Sequence, residues 1–266
     1  MPLKNILVYL DNSLHSTARL NLAIGLAQRH QARLTALYII THPFYEPQHV
    51  DTEAKTAQVQ AEFNGIIAEA GVKAELLTID WKVTGVSISE VVNIHANYSD
   101  LVIVGQTDHT ALDRDTPADL PERVILGSGR PVLIVPYIAS YKEFGNRVLV
   151  AWKSGRESTR AVNDAIPLLE KAEVVDILVV NSADPARNEG ERLCVHLACH
   201  DIKAGAELAT ASDISVGDAL LNRASVKSCD LLVMGAFAHT RLGTPTLGAV
   251  ARHILKHMTV PVLMSH

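Results

Sequence analysis

The chain has 266 residues, 48% hydrophobic, 20% charged and 5% aromatic, with a net charge of −5. That charge, with no run of Lys and Arg, excludes a general affinity for nucleic-acid backbones, and no apolar stretch is long enough to span a bilayer. Cys194, Cys199 and Cys229 are too few and oddly numbered for a disulfide framework, so a reducing, cytoplasmic setting is expected.

In chain order, Met1–Val8 shows no signal-peptide pattern and leads directly into a strand-like run, Ile6–Leu10. Asp11-Asn12-Ser13 follows it, and then Ser16–His30, where Ala and Leu recur at three- and four-residue spacing and predict a helix. Further apolar runs predict strands at Leu34–Ile40, Ala74–Ile79, Leu101–Gly105 and Val132–Val135. The segment Thr41–Val50, with Pro43, Phe44, Tyr45 and Pro47, reads either as a cover over the sheet edge or as the lining of a pocket or partner surface. Beyond a joint near Tyr137–Asn146 come strands at Val148–Trp152, Val174–Asn181, Ala206–Thr210, Leu231–Gly235 and Val262–Met264. Helical patterns lie near Glu157–Lys171, Glu189–Ile202, Val216–Ser228 and Ala251–His257. So few aromatics leave the core to Val, Ile, Leu and Ala, which suits parallel sheets covered on both faces. The alternation predicts an α/β fold of two tandem doubly wound domains, 1–138 and 145–266, each a five-stranded parallel sheet with helices on both faces.

The chain also repeats itself. Ser99-Asp100-Leu101-Val102-Ile103-Val104-Gly105 matches Cys229-Asp230-Leu231-Leu232-Val233-Met234-Gly235. His109-Thr110 then falls opposite His239-Thr240, and Pro131-Val132-Leu133-Ile134 opposite Pro261-Val262-Leu263-Met264, without a gap. Asn5-Ile6-Leu7-Val8 resembles Arg147-Val148-Leu149-Val150, with Ser16 opposite Ser158.

Ligands of such sheets sit beyond the carboxyl ends of the strands, which directs attention to Asp11 and to the stretch from Gly235 to Ala249. A glycine at a strand end and a second at a helix start let backbone N–H groups approach a phosphate; a tight turn and close helix–sheet packing explain the same two glycines. The order of elements, the ending His257-Met258-Thr259-Val260-Pro261-Val262-Leu263 and the strand-Gly-loop-Gly-helix spacing resemble the universal stress protein family, in its tandem two-domain form. The resemblance implies an adenine nucleotide alpha hydrolase-like fold, with ATP held by a Gly-x2-Gly-x9-Gly-Ser/Thr segment. Here the four motif positions are Gly235, Ala238, Gly248 and Ala249, so half of the signature is present; His239 and Arg241 could supply charge in place of the lost hydroxyl. The first copy has Gly105, Asp108, Ala118 and Asp119 at these positions, and two carboxylates there repel phosphate. Its Asp11 matches the family aspartate that helps hold the adenine end, whereas Lys153 stands opposite in the second copy. The resemblance further implies that Val132–Val135 and Val262–Met264 join the halves into an internal pseudo-dimer; a further homodimer is left open.

His253 and His257, like His196 and His200 beside Cys194 and Cys199, have chelating spacing, yet a zinc site needs three or four ligands and no further partner is evident. No metal is expected. Neither a Gly-x-x-x-x-Gly-Lys-Ser/Thr loop nor a Gly-x-Ser-x-Gly elbow is present. Ser128, in Gly127-Ser128-Gly129-Arg130, reads as a turn residue. The chain is therefore read as a non-catalytic stress-response protein taking ATP in its second domain, or alternatively as a nucleotide-free module for a protein or another small ligand. No nucleic-acid or membrane partner is expected.

Overall fold

The computed structural model describes residues 2–41, 52–80, 85–108, 116–138, 144–182, 184–241 and 244–266. The first repeat runs β1 (Asn5–Leu10), α1 (Ser16–His30), β2 (Arg33–Ile40), α2 (Thr52–Ala70), β3 (Ala74–Asp80), α3 (Ile88–Ala96), β4 (Leu101–Gly105), α4 (Leu120–Gly127) and β5 (Val132–Val135). The second runs β6 (Arg147–Ala151), α5 (Arg156–Leu169), β7 (Val174–Val180), α6 (Glu189–Ala198), β8 (Ala204–Ala209), α7 (Val216–Val226) and β9 (Leu231–Gly235). A hairpin of β10 (Ala238–Arg241) and β11 (Thr244–Leu247) follows, then α8 (Ala249–His257) and β12 (Val262–Ser265). Nearly all of the segment 41–50 lies outside the described residues, as do residues 109 and 110.

The chain divides into two compact units, Pro2–Arg130 and Pro131–His266. In the first the strand order is β3-β2-β1-β4 and every neighbour is parallel. In the second it is β5-β12-β9-β6-β7-β8, parallel except that β5 runs antiparallel to β12, with Leu133 opposite Leu263. The division falls just before β5 because this ladder ties the strand to the second repeat. Each repeat thus supplies the five strands that its apolar runs predict, with helices on both faces. Three strands are apolar and buried along nearly their whole length: Leu101–Val104, Val132–Val135 and Leu231–Met234 are all buried.

The repeated Asp has a structural task. The Asp100 carboxylate accepts the backbone N–H groups of Lys4 (2.7 Å) and Asn5 (2.9 Å), while its own N–H donates to the Asn5 carbonyl (2.8 Å). Asp230 does the same with Asn146 (2.9 Å) and Arg147 (3.0 Å), and its N–H donates to the Arg147 carbonyl (2.9 Å). Each clamp fixes the start of a repeat's first strand against the start of its fourth with charge-assisted bonds.

The other ends of β4 and β9 meet glycines under different loads. At Gly105, an added Cβ would lie 1.9 Å from the Arg19 guanidinium, which α1 sends across the strand end. Arg19 is 3% exposed and pairs at 3.0 Å with Asp11, 14% exposed, at the end of β1. Burial works to raise the Asp11 carboxyl, but Arg19 and hydrogen bonds from Ser13 outweigh it and hold it below the ordinary aspartate value. At Gly235, the added Cβ would lie 2.5 Å from the Ser158 nitrogen and 2.6 Å from the Glu157 carbonyl carbon. There the backbone of the first turn of α5 rests directly on the strand.

Two stability predictions follow from these contacts. Gly235→Ala meets backbone that cannot swing aside and should cost about 3 kcal/mol, whereas Gly248→Ala, whose nearest contact is the Phe237 oxygen at 3.2 Å, should cost about 1 kcal/mol; thermal melts of the two variants compare them directly. Asp11→Asn leaves the buried Arg19 charge unpaired and should cost about 3 kcal/mol near neutral pH. Because folding lowers the Asp11 pKa, its contribution is present above the unfolded value of about 3.9 and is lost as pH falls through the folded one. Urea melts across pH should therefore show the gap between wild type and variant closing only in strong acid.

Candidate functional site

In the second repeat, the stretch singled out for phosphate binding folds back on itself. β10 and β11 pair antiparallel, with Ala238 opposite Leu247, His239 opposite Thr246, Thr240 opposite Pro245 and Arg241 opposite Thr244. Ala238 is thus an extended strand position, with no need of the positive φ that would call for glycine. Gly248 closes the hairpin: its N–H donates to the Phe237 carbonyl at 2.7 Å. It is also the N-cap of α8, at φ −65 and ψ 161, a conformation open to any residue. Ala249 begins that helix and is exposed. With no side-chain cap at Gly248, the first-turn N–H groups of α8 lack intrahelical acceptors, the general condition of helix starts. Gly235 lies at the end of β9, against α5 as described, and the Ala236 N–H donates to the Ser265 carbonyl (2.8 Å).

In the first repeat the corresponding positions are taken up by the protein. Asp119 pairs with Arg123 at 2.5 Å, and the Thr107 hydroxyl donates to the Ala118 carbonyl at 2.8 Å. Asp11 is engaged three ways, by Arg19, by the Ser13 N–H (3.0 Å) and by the Ser13 hydroxyl (2.5 Å). Asp11 and Gly235 belong to different compact units. Arg19, which sequence reasoning passed over, is the residue that occupies Asp11.

Each repeat carries a cleft beside the end of its first strand. In the first, about 240 Å³ is bounded by the end of β1, α1 and α2, with Asp11, Tyr38, Lys55 and Glu62 among its lining; the Tyr38 hydroxyl donates to Asn12. In the second, about 350 Å³ lies between α5 and α6, lined by Trp152, Val162, Arg187, Arg192, Leu193 and His196 among others. The two clefts sit at equivalent places in the repeat, and their charge differs.

His253 Nε2 lies 2.8 Å from Asp218 Oδ1 and its ring covers Gly217, whose added Cβ would meet it at 2.5 Å. This contact packs α8 on α7. His253 and His257 lie with ring centroids 4.6 Å apart at a tilt of 39°, and His196 and His200 meet edge to face at 5.2 Å. Among the described residues no three His, Cys, Asp or Glu side chains gather as metal ligands. Ser128 does sit in a turn, followed by Gly129 at φ 63, and Arg130 donates to the Asn97 carbonyl at 2.8 Å. Among the described residues no helix is long and apolar enough to cross a membrane.

Comparison with known proteins agrees with this architecture. A universal stress protein from Archaeoglobus fulgidus DSM 4304 superposes with a TM-score of 0.77 at 17% identity, over 98% of this chain and 97% of that one. A Pseudomonas aeruginosa UCBPP-PA14 protein assigned to the same family gives 0.68 at 15% identity, over 99% and 93%. At such identities the likeness establishes the fold, including its two-repeat length. Comparison with curated protein sequences gives no match. The model of the universal stress protein family matches residues 2–136 and 197–266, well over half of the chain, and the chain therefore belongs to that family, in its tandem form.

Proposed function

We propose that this universal stress protein is a non-catalytic, cytoplasmic binding module that works without a bound nucleotide. The observation that supports this reading is the closed hairpin. The backbone of Ala238–Arg241 pairs with that of Thr244–Leu247, and the Gly248 N–H is committed to the Phe237 carbonyl. Backbone donors of the segment that the resemblance assigns to phosphate are spent on protein carbonyls instead, Gly248 N–H on that of Phe237. In the first repeat, Asp11 holds Arg19 where it would otherwise receive an adenine edge. The pairing of β5 with β12 supports reading the chain as an internal pseudo-dimer of domains 1–138 and 145–266.

A second reading, ATP bound in the second repeat, is favoured by the uncapped start of α8. Gly248 contributes no side-chain acceptor there, and first-turn N–H groups with the helix dipole attract an anion. Gly235, Ala238, His239, Arg241, Gly248 and Ala249 would then surround the phosphates.

Freshly purified protein, denatured and run on an ion-exchange column, separates the two readings, with calorimetric titration of ATP alongside. The expected result is no stoichiometric adenine nucleotide and no heat up to about 1 mM ATP, the weakest affinity that such an experiment needs to cover. A stoichiometric nucleotide that disappears in Gly248→Trp would overturn the nucleotide-free reading and establish the second repeat as a working ATP site.

A further inference from the structure

The cleft between α5 and α6 has the chemistry of a ligand site. Its floor is apolar: Val162 and Leu193 are buried, at 2% and 5% exposed. Trp152, just beyond the end of β6, lines it as well. The indole nitrogen of Trp152 is buried and has no hydrogen-bond partner among the described residues. Around the cleft stand three cation-forming side chains, Arg187, Arg192 and His196. They are not equivalent. Arg187 pairs with Asp184 at 3.4 Å, and Glu189 is also on the wall. Arg192 is exposed and has no side-chain partner among the described residues.

These features together define the ligand. One uncommitted guanidinium, with carboxylates nearby at Asp184 and Glu189, suits a single negative charge and disfavours a multiply charged phosphate. A guanidinium fork matches a carboxylate through two parallel hydrogen bonds. An apolar floor needs an apolar body to cover it. A volume of 350 Å³ is at the small end for ligand pockets, which run from about 300 to 1,000 Å³. We propose that this cleft binds a small organic monocarboxylate with an apolar body, Arg192 taking the carboxylate and Trp152, Val162 and Leu193 the body.

The matching cleft of the first repeat is built against such a ligand. It presents Asp11 and Glu62 with Lys55, and Asp11 already pairs with Arg19. One carboxylate per chain is therefore expected. None of the described residues that line the cleft between α5 and α6 belongs to the Gly235–Ala249 segment.

The test uses the full chain carrying Trp81→Phe, which leaves Trp152 as its one remaining tryptophan. Phenylacetate, octanoate and indole-3-acetate are titrated, each beside its neutral amide, with Trp152 fluorescence as the signal and calorimetry where the ligand itself absorbs. The expected result is saturable binding of at least one carboxylate at one per chain, about tenfold weaker for its amide and for Arg192→Gln, the scale of one charge-assisted hydrogen bond. Arg192→Gln should melt with the parent, because the side chain is exposed and makes no hydrogen bond or ion pair among the described residues. ATP at about 1 mM, a concentration chosen to reveal weak competition, should leave the carboxylate in place. Any of three results overturns the proposal: no saturable binding by all three acids, equal binding of acids and amides, or undiminished binding by Arg192→Gln. Displacement by ATP would overturn it too, by marking the cleft as part of a nucleotide site. A carboxylate that binds while the protein also carries nucleotide would leave this proposal intact and refute the nucleotide-free reading, so the two fail separately.

Discussion

The structure depends on what is allowed to rest on the glycine that ends the fourth strand of each repeat. A parallel sheet delivers its strand ends to one edge, and the first helix of each repeat begins at that edge. There is room for helix backbone, or for a long side chain, but not for both with a Cβ between them. In the second repeat the backbone of Glu157 and Ser158 takes the space above Gly235; in the first, the guanidinium of Arg19 takes the space above Gly105. Duplication has produced one frame with two different fillings at the place where this fold receives ligands.

The consequences differ for each repeat. Arg19 is a buried cation, and a buried cation demands a partner. Asp11 answers it, with the aid of Ser13 and Ser16. The residue that the family resemblance assigns to a nucleotide has thus become part of an internal ion pair. Removing either partner would strand the other charge, so the pair maintains itself once it has formed. The second repeat carries Ala161 at the helix position that follows its repeated Ser158 as Arg19 follows Ser16, and with no cation to balance, Lys153 in place of Asp11 is exposed to solvent.

Much of the fold was legible because its signals are local. The strand runs are almost wholly apolar, and helices such as α1 carry a clear three- and four-residue period. The two clamps at Asp100 and Asp230 sit inside the motif that first revealed the repeat, so the match reflected a backbone task rather than chemistry. The hairpin β10–β11 was not legible. Its sequence, Ala238–Arg241 and Thr244–Leu247 with Pro245 inside the second strand, alternates weakly and reads as loop; its strands exist by pairing with each other. Arg19 was missed for a different reason. Its position on the buried face of α1, in register with Leu22 and Ala23, could have been noticed, and a charge on an apolar stripe beside an unpaired Asp11 is a signal of an internal pair.

The Gly235 and Gly248 pair shows why a motif cannot be separated from its packing. Gly235 is required by the geometry that a phosphate loop would also require, close approach of backbone to backbone, whereas Gly248 meets only a near contact with the Phe237 carbonyl. In this chain the approaching group is protein in both cases: Glu157 and Ser158 over Gly235, and the Phe237 carbonyl at Gly248. A hydrogen bond from Gly248 N–H to a carbonyl saturates the same donor that would meet a phosphate oxygen, so the internal contact and the ligand are alternatives. Retaining two glycines is thus compatible with loss of the ligand, provided the hairpin remains closed. Recognition chemistry in this chain is then more readily found where an uncommitted side chain faces a cleft, as Arg192 does beside Trp152, than where backbone donors are already satisfied by carbonyls of the protein.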